Sequence, residues 1–486
     1  MSDLQQQSSE IVELTAVDLA RKLATRELSS VEVLSAYFAQ IDRFNPKVNA
    51  IVHEQPRDAL LVQAKKLDDH IVKSGPVGPL HGLPQAPKDM MPVAGMVTSK
   101  GSPIFKDFVA PGDAVAYERT REAGAIFIGR TNTPEFGLGG HTYNNVYGAT
   151  RNAFDQSKSA GGSSGGAGVA VALRMLPVAD GSDMMGSLRT PAAFNNVFGF
   201  RTSLGCVPHG PTEELFFQQF SVTGPMARNV PDLALLLSVQ AGFDQRLPLT
   251  RTIPAAPDLD ADFNGKRIGW LGDFSGRVPV EAEVLKIGGS SLQHFRSIGC
   301  EVEDVDVSFD LESMYQAWTT LRSFTFGNTN RALYENAKTR ALLKPEAIWE
   351  IERSKTISGD QLYQAAKVRS DWYRLMLKLF DQYDYLVGPV TQVMPFDLDI
   401  PWPSVINGVS MDIYHRWMEI VLPSTMAGLP SLAAPAGFSN SGLPSGIQII
   451  GRPQADWNVL QLGHAYDQCS GISRTLSPLL ASLQHA

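Results

Sequence analysis

The stretch from Ser159 to Pro208 constrains this chain more than any other. It reads SAGGSSGGAGVAVALRMLPVADGSDMMGSLRTPAAFNNVFGFRTSLGCVP. Ser163 and Ser164 stand inside four glycines, Gly161-Gly162-Ser163-Ser164-Gly165-Gly166. Residues 167–175 then read as a helix and residues 176–179 as a short strand. Gly181 to Ser187 reads as a loop, and Pro191 suits the first position of the next helix. Three readings fit the glycine run by itself. Glycines ahead of a helix suit a phosphate cradle, because unpaired backbone N–H groups there attract anions. The run lacks a GK[ST] ending, however, and no βαβ unit with a ribose-binding acid follows. The run from Gly161 to Gly165 also matches G-x-S-x-G, but that nucleophile elbow needs a strand directly before the serine. Asp155-Gln156-Ser157-Lys158 is polar and loop-like instead. The third reading is a glycine-rich turn between core elements.

Composition narrows the class. Of 486 residues, 43% are apolar and 19% charged, the balance of a globular protein with a sizeable core. Lys and Arg number 42 against 50 Asp and Glu, so the net charge is −8. A mildly acidic chain has no electrostatic reason to bind nucleic acid or an anionic membrane. Cys206, Cys300 and Cys469 lie far apart with no CxxC pair, and the nine histidines include no HExxH. Neither a disulfide framework nor a metal site is expected to organise the chain. The opening MSDLQQQSSE has no basic stretch leading into an apolar one, so no signal peptide is expected, and no run of eighteen apolar residues offers a membrane span. We expect a cytoplasmic protein, a monomer or homodimer.

Length alone allows about three domains or one large one. Ser29 and Glu32 have capping-box spacing, and Val31, Leu34, Phe38, Ile41 and Phe44 follow at helical period, with Asn45-Pro46 as the stop. Beyond residue 80 the texture changes to short apolar runs broken by glycine and proline. AIFIG at 125–129, KRIGWL at 266–271, YLV at 385–387 and IQIIG at 447–451 read as buried strands. Residues 281–295 and 457–467 read as helices between them. Such alternation predicts an α/β fold with helices on both faces of the sheet. Residues 252–265 read as a linker, within one domain or between two. Residues 310–383 read as helical with exposed-looking aromatics, Tyr315, Trp318, Phe324, Phe326, Trp372 and Tyr373. They either pack on the sheet or cover a pocket as a lid.

Two further motifs accompany the glycine-serine segment. Gly78-Pro79-Leu80-His81-Gly82-Leu83-Pro84-Gln85-Ala86-Pro87-Lys88-Asp89 lies upstream, and GLPSLAAPAGF through GLPSGIQIIGRP, residues 428–453, lies downstream. Together with Gly161–Gly166 and the GSDMMGSLRTPA stretch of residues 181–192, these closely resemble the amidase signature family over nearly the whole chain. The resemblance implies one domain, residues 1–486. It is an α/β/α sandwich with a mixed central sheet, N-terminal helices over 1–75, and a catalytic core over 76–250.

The resemblance also assigns roles. Ser187 matches the nucleophile, Ser163 the bridging serine after a cis peptide bond from Gly162, and Lys88 the base. The oxyanion donors match the backbone N–H groups of Met184, Met185, Gly186 and Ser187. Met185 replaces the family's usual glycine, which bears on the backbone geometry of that loop. Asp183 and Arg189 match a pair that braces it. A serine hydroxyl needs a neighbouring base, and a lysine serves only when its amine is neutral, which burial favours. Asp89 would oppose this if it pointed at Lys88. His81 and His141 stand as alternative bases. No cofactor is implied. Met90, Met91, Tyr143 and Phe194 suit an apolar pocket. That pocket fits hydrophobic or aryl amides, with esters and carbamates (an aryl acylamidase or urethanase activity). The alternatives are a glutamine amidotransferase subunit that needs a partner and a catalytically inactive binding scaffold.

Overall fold

The computed structural model describes residues 9–217 and 220–482. Residues 1–8, most of the polar opening stretch, lie outside them. Eight strands form the central sheet: β1 (Val178–Asp183), β2 (Phe198–Arg201), β3 (Val222–Ala227), β4 (Arg267–Trp270), β5 (Glu301–Asp304), β6 (Tyr385–Pro389), β7 (Ser431–Phe438) and β8 (Pro444–Ile450). Their spatial order is β1-β3-β2-β7-β8-β6-β4-β5. Pairing is antiparallel from β1 across to β6 and parallel from β6 through β4 to β5, so the sheet is mixed.

Side chains alternate across this sheet with period two. On β7, Leu432 and Ala434 enter one hydrophobic cluster while Ala433 enters another. The first cluster takes Leu292 and Phe295 of the helix Ala282–Ser297, and Leu460 and Tyr466 of the helix Asp456–Ser470. The second takes Val169 and Val171 of α1 (Gly165–Ala172), and Ala192 and Ala193 of α2 (Arg189–Phe194). The sandwich thus has a core on each face, and the expected α/β class holds.

Several local expectations are met and several are corrected. The capping box closes at Ser29, and Leu34, Ile41 and Phe44 are buried. The helix does not stop at Asn45-Pro46; it runs to Val48 with Pro46 inside its last turn. Asn49 then ends it in the left-handed region, its N–H donating to Asn45 O at 2.8 Å. Near a helix C-terminus a proline removes a single intrahelical bond, which the surrounding contacts tolerate. Residues 126–127 pair with residues 84–85 outside the main sheet. Gly181-Ser182-Asp183, read as loop, continues β1, because residues 222–224 supply a full ladder opposite it. Residues 310–383 are helical as expected, in Leu311–Glu335, Pro345–Ser354 and Gly359–Gln382. Their aromatics are less exposed than they looked, however. Tyr315, Trp318 and Trp372 are fully buried, since these helices pack on one another.

Candidate active site

β1 runs out at Asp183, and the chain turns through Met184–Leu188 into α2. The Ser163–Ser164 pair precedes α1 directly, and the Gly162–Ser163 peptide bond is cis. Lys88 follows the short strand Pro84–Gln85 and bridges to Thr131 in a parallel register. These three segments meet. Lys88 Nζ lies 2.7 Å from Ser163 Oγ, 2.9 Å from Ser164 Oγ and 3.1 Å from Ser182 Oγ. Ser164 N donates to Ser187 O at 3.0 Å, which ties the start of α1 to the turn that carries Ser187. Gly181 permits this approach: a Cβ there would lie 2.5 Å from Ser164 Oγ.

Lys88 is completely buried, and desolvation of its ammonium lowers its pKa to about 7, against the opposing pull of Asp180 and Asp183. Asp89 does not add to that pull by a direct pair. Its carboxylate accepts from the Ser99 N–H at 3.0 Å and from the Ser99 hydroxyl, and it faces Arg130.

The turn is braced from beneath. Asp183 accepts from Arg189 Nε and Nη2, both at 3.0 Å, and from the N–H of Leu188 at 3.2 Å. Arg201 Nη1 reaches the same carboxylate at 3.3 Å. Burial by itself would raise the Asp183 pKa, but the two guanidinium groups outweigh it and hold the carboxyl far below its ordinary range. Arg189 extends the brace to Ser424 Oγ at 2.8 Å and Gln448 Oε1 at 2.7 Å.

Met185 keeps its φ out of the left-handed region, so a side chain is accommodated where the family usually has glycine. Gly186 is the residue at φ +81°, and a Cβ there would meet Thr190 Oγ1 at 2.9 Å. Gly186 was expected to supply an oxyanion donor, but its N–H already donates to Asp183 Oδ1 at 3.0 Å. The N–H groups of Met184, Met185 and Ser187 have no partner among the described residues.

Ser187 and Ser163 open into a cavity of about 120 Å³. Met90, Met91, Met184, Met185 and Met418 line it, with Phe136, Trp318, Phe326 and Tyr414. Of the four residues proposed for this pocket, Met90 and Met91 are there. Tyr143 and Phe194 are not. Tyr143 lines a separate cavity beside Lys344 and Glu346. Phe194 is fully buried in the core, with its ring 6.2 Å from that of Phe396. His81 and His141 also lie outside the pocket lining, whereas His209 and His415 belong to it. Burial lowers the His209 pKa to about 4, and Lys88 acts in the same sense.

Ser164, Ser182 and Arg201 have places in this cluster that sequence reasoning did not assign, although all three lie within the segment already singled out. Trp318, Arg322, Tyr414, His415 and Met418 come from far along the chain and carry no motif that marks them. Among the described residues, no group of three His, Cys, Asp or Glu side chains is placed to hold a metal, and no helix is long and apolar enough to cross a membrane.

Comparison with known proteins gives the family. The amidase family model matches residues 32–460. The chain belongs to the amidase signature family and is an amide-hydrolysing enzyme. Among its relatives, an acylamidase of Rhodococcus erythropolis is 33% identical, with 92% of this chain and 94% of that protein covered. A glutamyl-tRNA(Gln) amidotransferase subunit of Methylococcus capsulatus is 31% identical, with coverage of 94% and 97%. The crystal structure of a bacterial aryl acylamidase of the same family superposes with a TM-score of 0.90 at 30% identity, covering 96% of this chain and 98% of the other.

Proposed function

We propose that this enzyme hydrolyses hydrophobic or aryl amides through an acyl-enzyme on Ser187, with Ser163 as proton relay and Lys88 as base. The observation that carries the reading is the 2.7 Å contact between Lys88 Nζ and Ser163 Oγ, made where burial brings the lysine pKa to about 7. A neutral amine offers a lone pair, and a hydroxyl both donates and accepts. Ser187 Oγ attacks the amide carbonyl while its proton passes to Ser163 Oγ and the Ser163 proton passes to Lys88. The oxyanion is held by the unpartnered N–H groups of Met185 and Ser187, with Met184 beside them. Lys88 returns the proton through Ser163 to the leaving nitrogen, the C–N bond breaks, and the amine departs. Water, deprotonated by the same relay, then cleaves the acyl ester and restores Ser187.

The methionine and aromatic lining supports an apolar substrate group, and the same serine would cleave esters and carbamates. The amidotransferase relatives favour a second reading, in which glutamine is the substrate and a partner protein is required. A hydrolysis screen of purified protein against anilides, aliphatic amides, carbamates and glutamine separates the two. Anilide turnover without a partner, with a phosphonate adduct on Ser187, is the expected result. Turnover of glutamine in preference to every other amide would overturn the apolar-substrate reading. Total silence, with no adduct, would favour an inactive scaffold.

A further inference from the structure

Most of the Ser187 pocket is apolar, but one part of its wall is not. Trp318, Arg322, Tyr414 and His415 line it together, and all four are more than nine-tenths buried. Buried polar groups normally find partners. Trp372 and Trp457 do so here, donating to Pro423 O at 2.9 Å and to Pro254 O at 3.0 Å. The Nε1–H of Trp318 has no partner among the described residues. The Nε2 of His415 is likewise unpaired, lying 3.9 Å from Glu350 Oε1.

Hydrogen-bond accounting fixes what His415 offers. Its Nδ1 is 2.6 Å from the Tyr315 hydroxyl. That hydroxyl has no other acceptor among the described residues, so it satisfies its own proton by donating to Nδ1. Burial and the neighbouring arginines keep the ring neutral. The remaining proton then sits on Nε2. Trp318 and His415, both of which line this end of the pocket, thus each carry an N–H donor with no partner among the described residues.

The acceptors nearby are already taken. Glu350 accepts from the Tyr414 hydroxyl at 2.7 Å and the Ser323 hydroxyl at 2.5 Å, and it forms an ion pair with Arg322. Arg322 is the one permanently charged residue among the described lining residues, and Glu350 cancels its charge. A substrate carboxylate or ammonium here would be buried without a free counter-ion.

We infer that the pocket selects amides carrying an uncharged hydrogen-bond acceptor oxygen, such as a ketone, ether or second amide carbonyl, on the group seated against Trp318 and His415. The inference rests on the amidase reading of Ser187 above and adds the chemistry of the substrate's far end. Binding pairs the two donors that the protein leaves unpaired, whereas a hydrocarbon of the same shape leaves them buried and unmet.

Two matched pairs test this, one on each side of the scissile bond. On the acyl side, the anilide of 4-oxopentanoic acid is compared with that of 4-methylpentanoic acid. On the amine side, the acetamide of 4-(2-oxopropyl)aniline is compared with that of 4-(2-methylpropyl)aniline. Methylene spacers insulate the reacting amide from the oxygen. We expect kcat/KM to favour the ketone in at least one pair by on the order of tenfold. Trp318→Phe, which keeps a ring and removes the N–H, should bring that ratio toward unity whatever happens to the absolute rates. The wild-type ratio alone is decisive if the variant fails to fold. A preference for the hydrocarbon in both pairs, or an unchanged ratio in a folded Trp318→Phe protein, would overturn the inference and leave the amidase reading intact. No turnover of any of the four, with no phosphonate adduct on Ser187, would overturn the amidase reading and this inference with it.

Discussion

Lys88 Nζ and Ser163 Oγ lie 2.7 Å apart, although 75 residues separate them in the chain. The lysine reaches this hydroxyl from a bridge to Thr131, and the serine is presented by the turn that starts α1. Neither residue would be reactive by itself. A solvated lysine is charged at neutral pH, and a serine hydroxyl holds its proton. Burial favours the neutral amine.

The first prediction is a pH profile. In the proposed mechanism Lys88 acts as the neutral amine, which is populated above its pKa of about 7. The value of kcat/KM should therefore fall on the acid side of pH 7, by about tenfold per unit, and level off above it. Lys88→Ala should lose most activity and this limb together. Lys88→Arg should do no better, because guanidinium stays protonated. A wild-type limb in Lys88→Ala would falsify the assignment of the base.

Nucleophile and relay should separate in a labelling experiment. Ser187→Ala should abolish turnover and phosphonate labelling together. Ser163→Ala should keep the nucleophile and lose the relay, reducing kcat by about 10²–10⁴-fold. Mass spectrometry of the adduct decides: label on Ser163 in the wild-type enzyme would exchange the two roles.

Asp183 should matter first for stability. Asp183→Asn leaves Arg189 and Arg201 buried without their counter-charge, and breaking such a pair costs about 3–5 kcal/mol. Urea denaturation should show the loss near neutral pH. The native carboxyl titrates far below its unfolded value, so the wild-type advantage is full above the unfolded pKa and shrinks as the pH falls below it. Equal midpoints for the two proteins at pH 7 would contradict this.

Gly186 and Met185 should respond differently to alanine. At Gly186 a Cβ would be placed in the left-handed region 2.9 Å from Thr190 Oγ1, so Gly186→Ala should distort the turn and lower kcat. Met185→Ala keeps the backbone and removes a buried side chain, a change of about 2–5 kcal/mol in stability. Comparing kcat with the unfolding midpoint for both variants shows whether backbone or burial is the sensitive element.

Much of this molecule is written locally. The Ser29–Glu32 capping box, the apolar stripe through Phe44, strand character at 385–387 and 447–450, and the helical character of residues 310–383 are legible in local sequence. Local chemistry misled in identifiable ways. Gly181-Ser182-Asp183 carries turn residues, yet pairing with β3 extends it. Tyr143 and Phe194 lie near the motif in sequence and outside its pocket in space, because a helix or loop of a few residues rotates a side chain away.

By itself, the sequence determined the family, the layered α/β class and the segments that carry Lys88, Ser163 and Ser187. Those properties depend on residue order within short stretches, where spacing and glycine placement leave few alternatives. Tertiary structure decided the rest. The lysine pKa, the commitment of Asp89 to Ser99 and of the Gly186 N–H to Asp183, and the unpaired Trp318 and His415 groups all depend on how the chain packs around them. Desolvation and hydrogen bonding depend on what surrounds an atom in three dimensions, and only the packing of both faces of the sheet sets that.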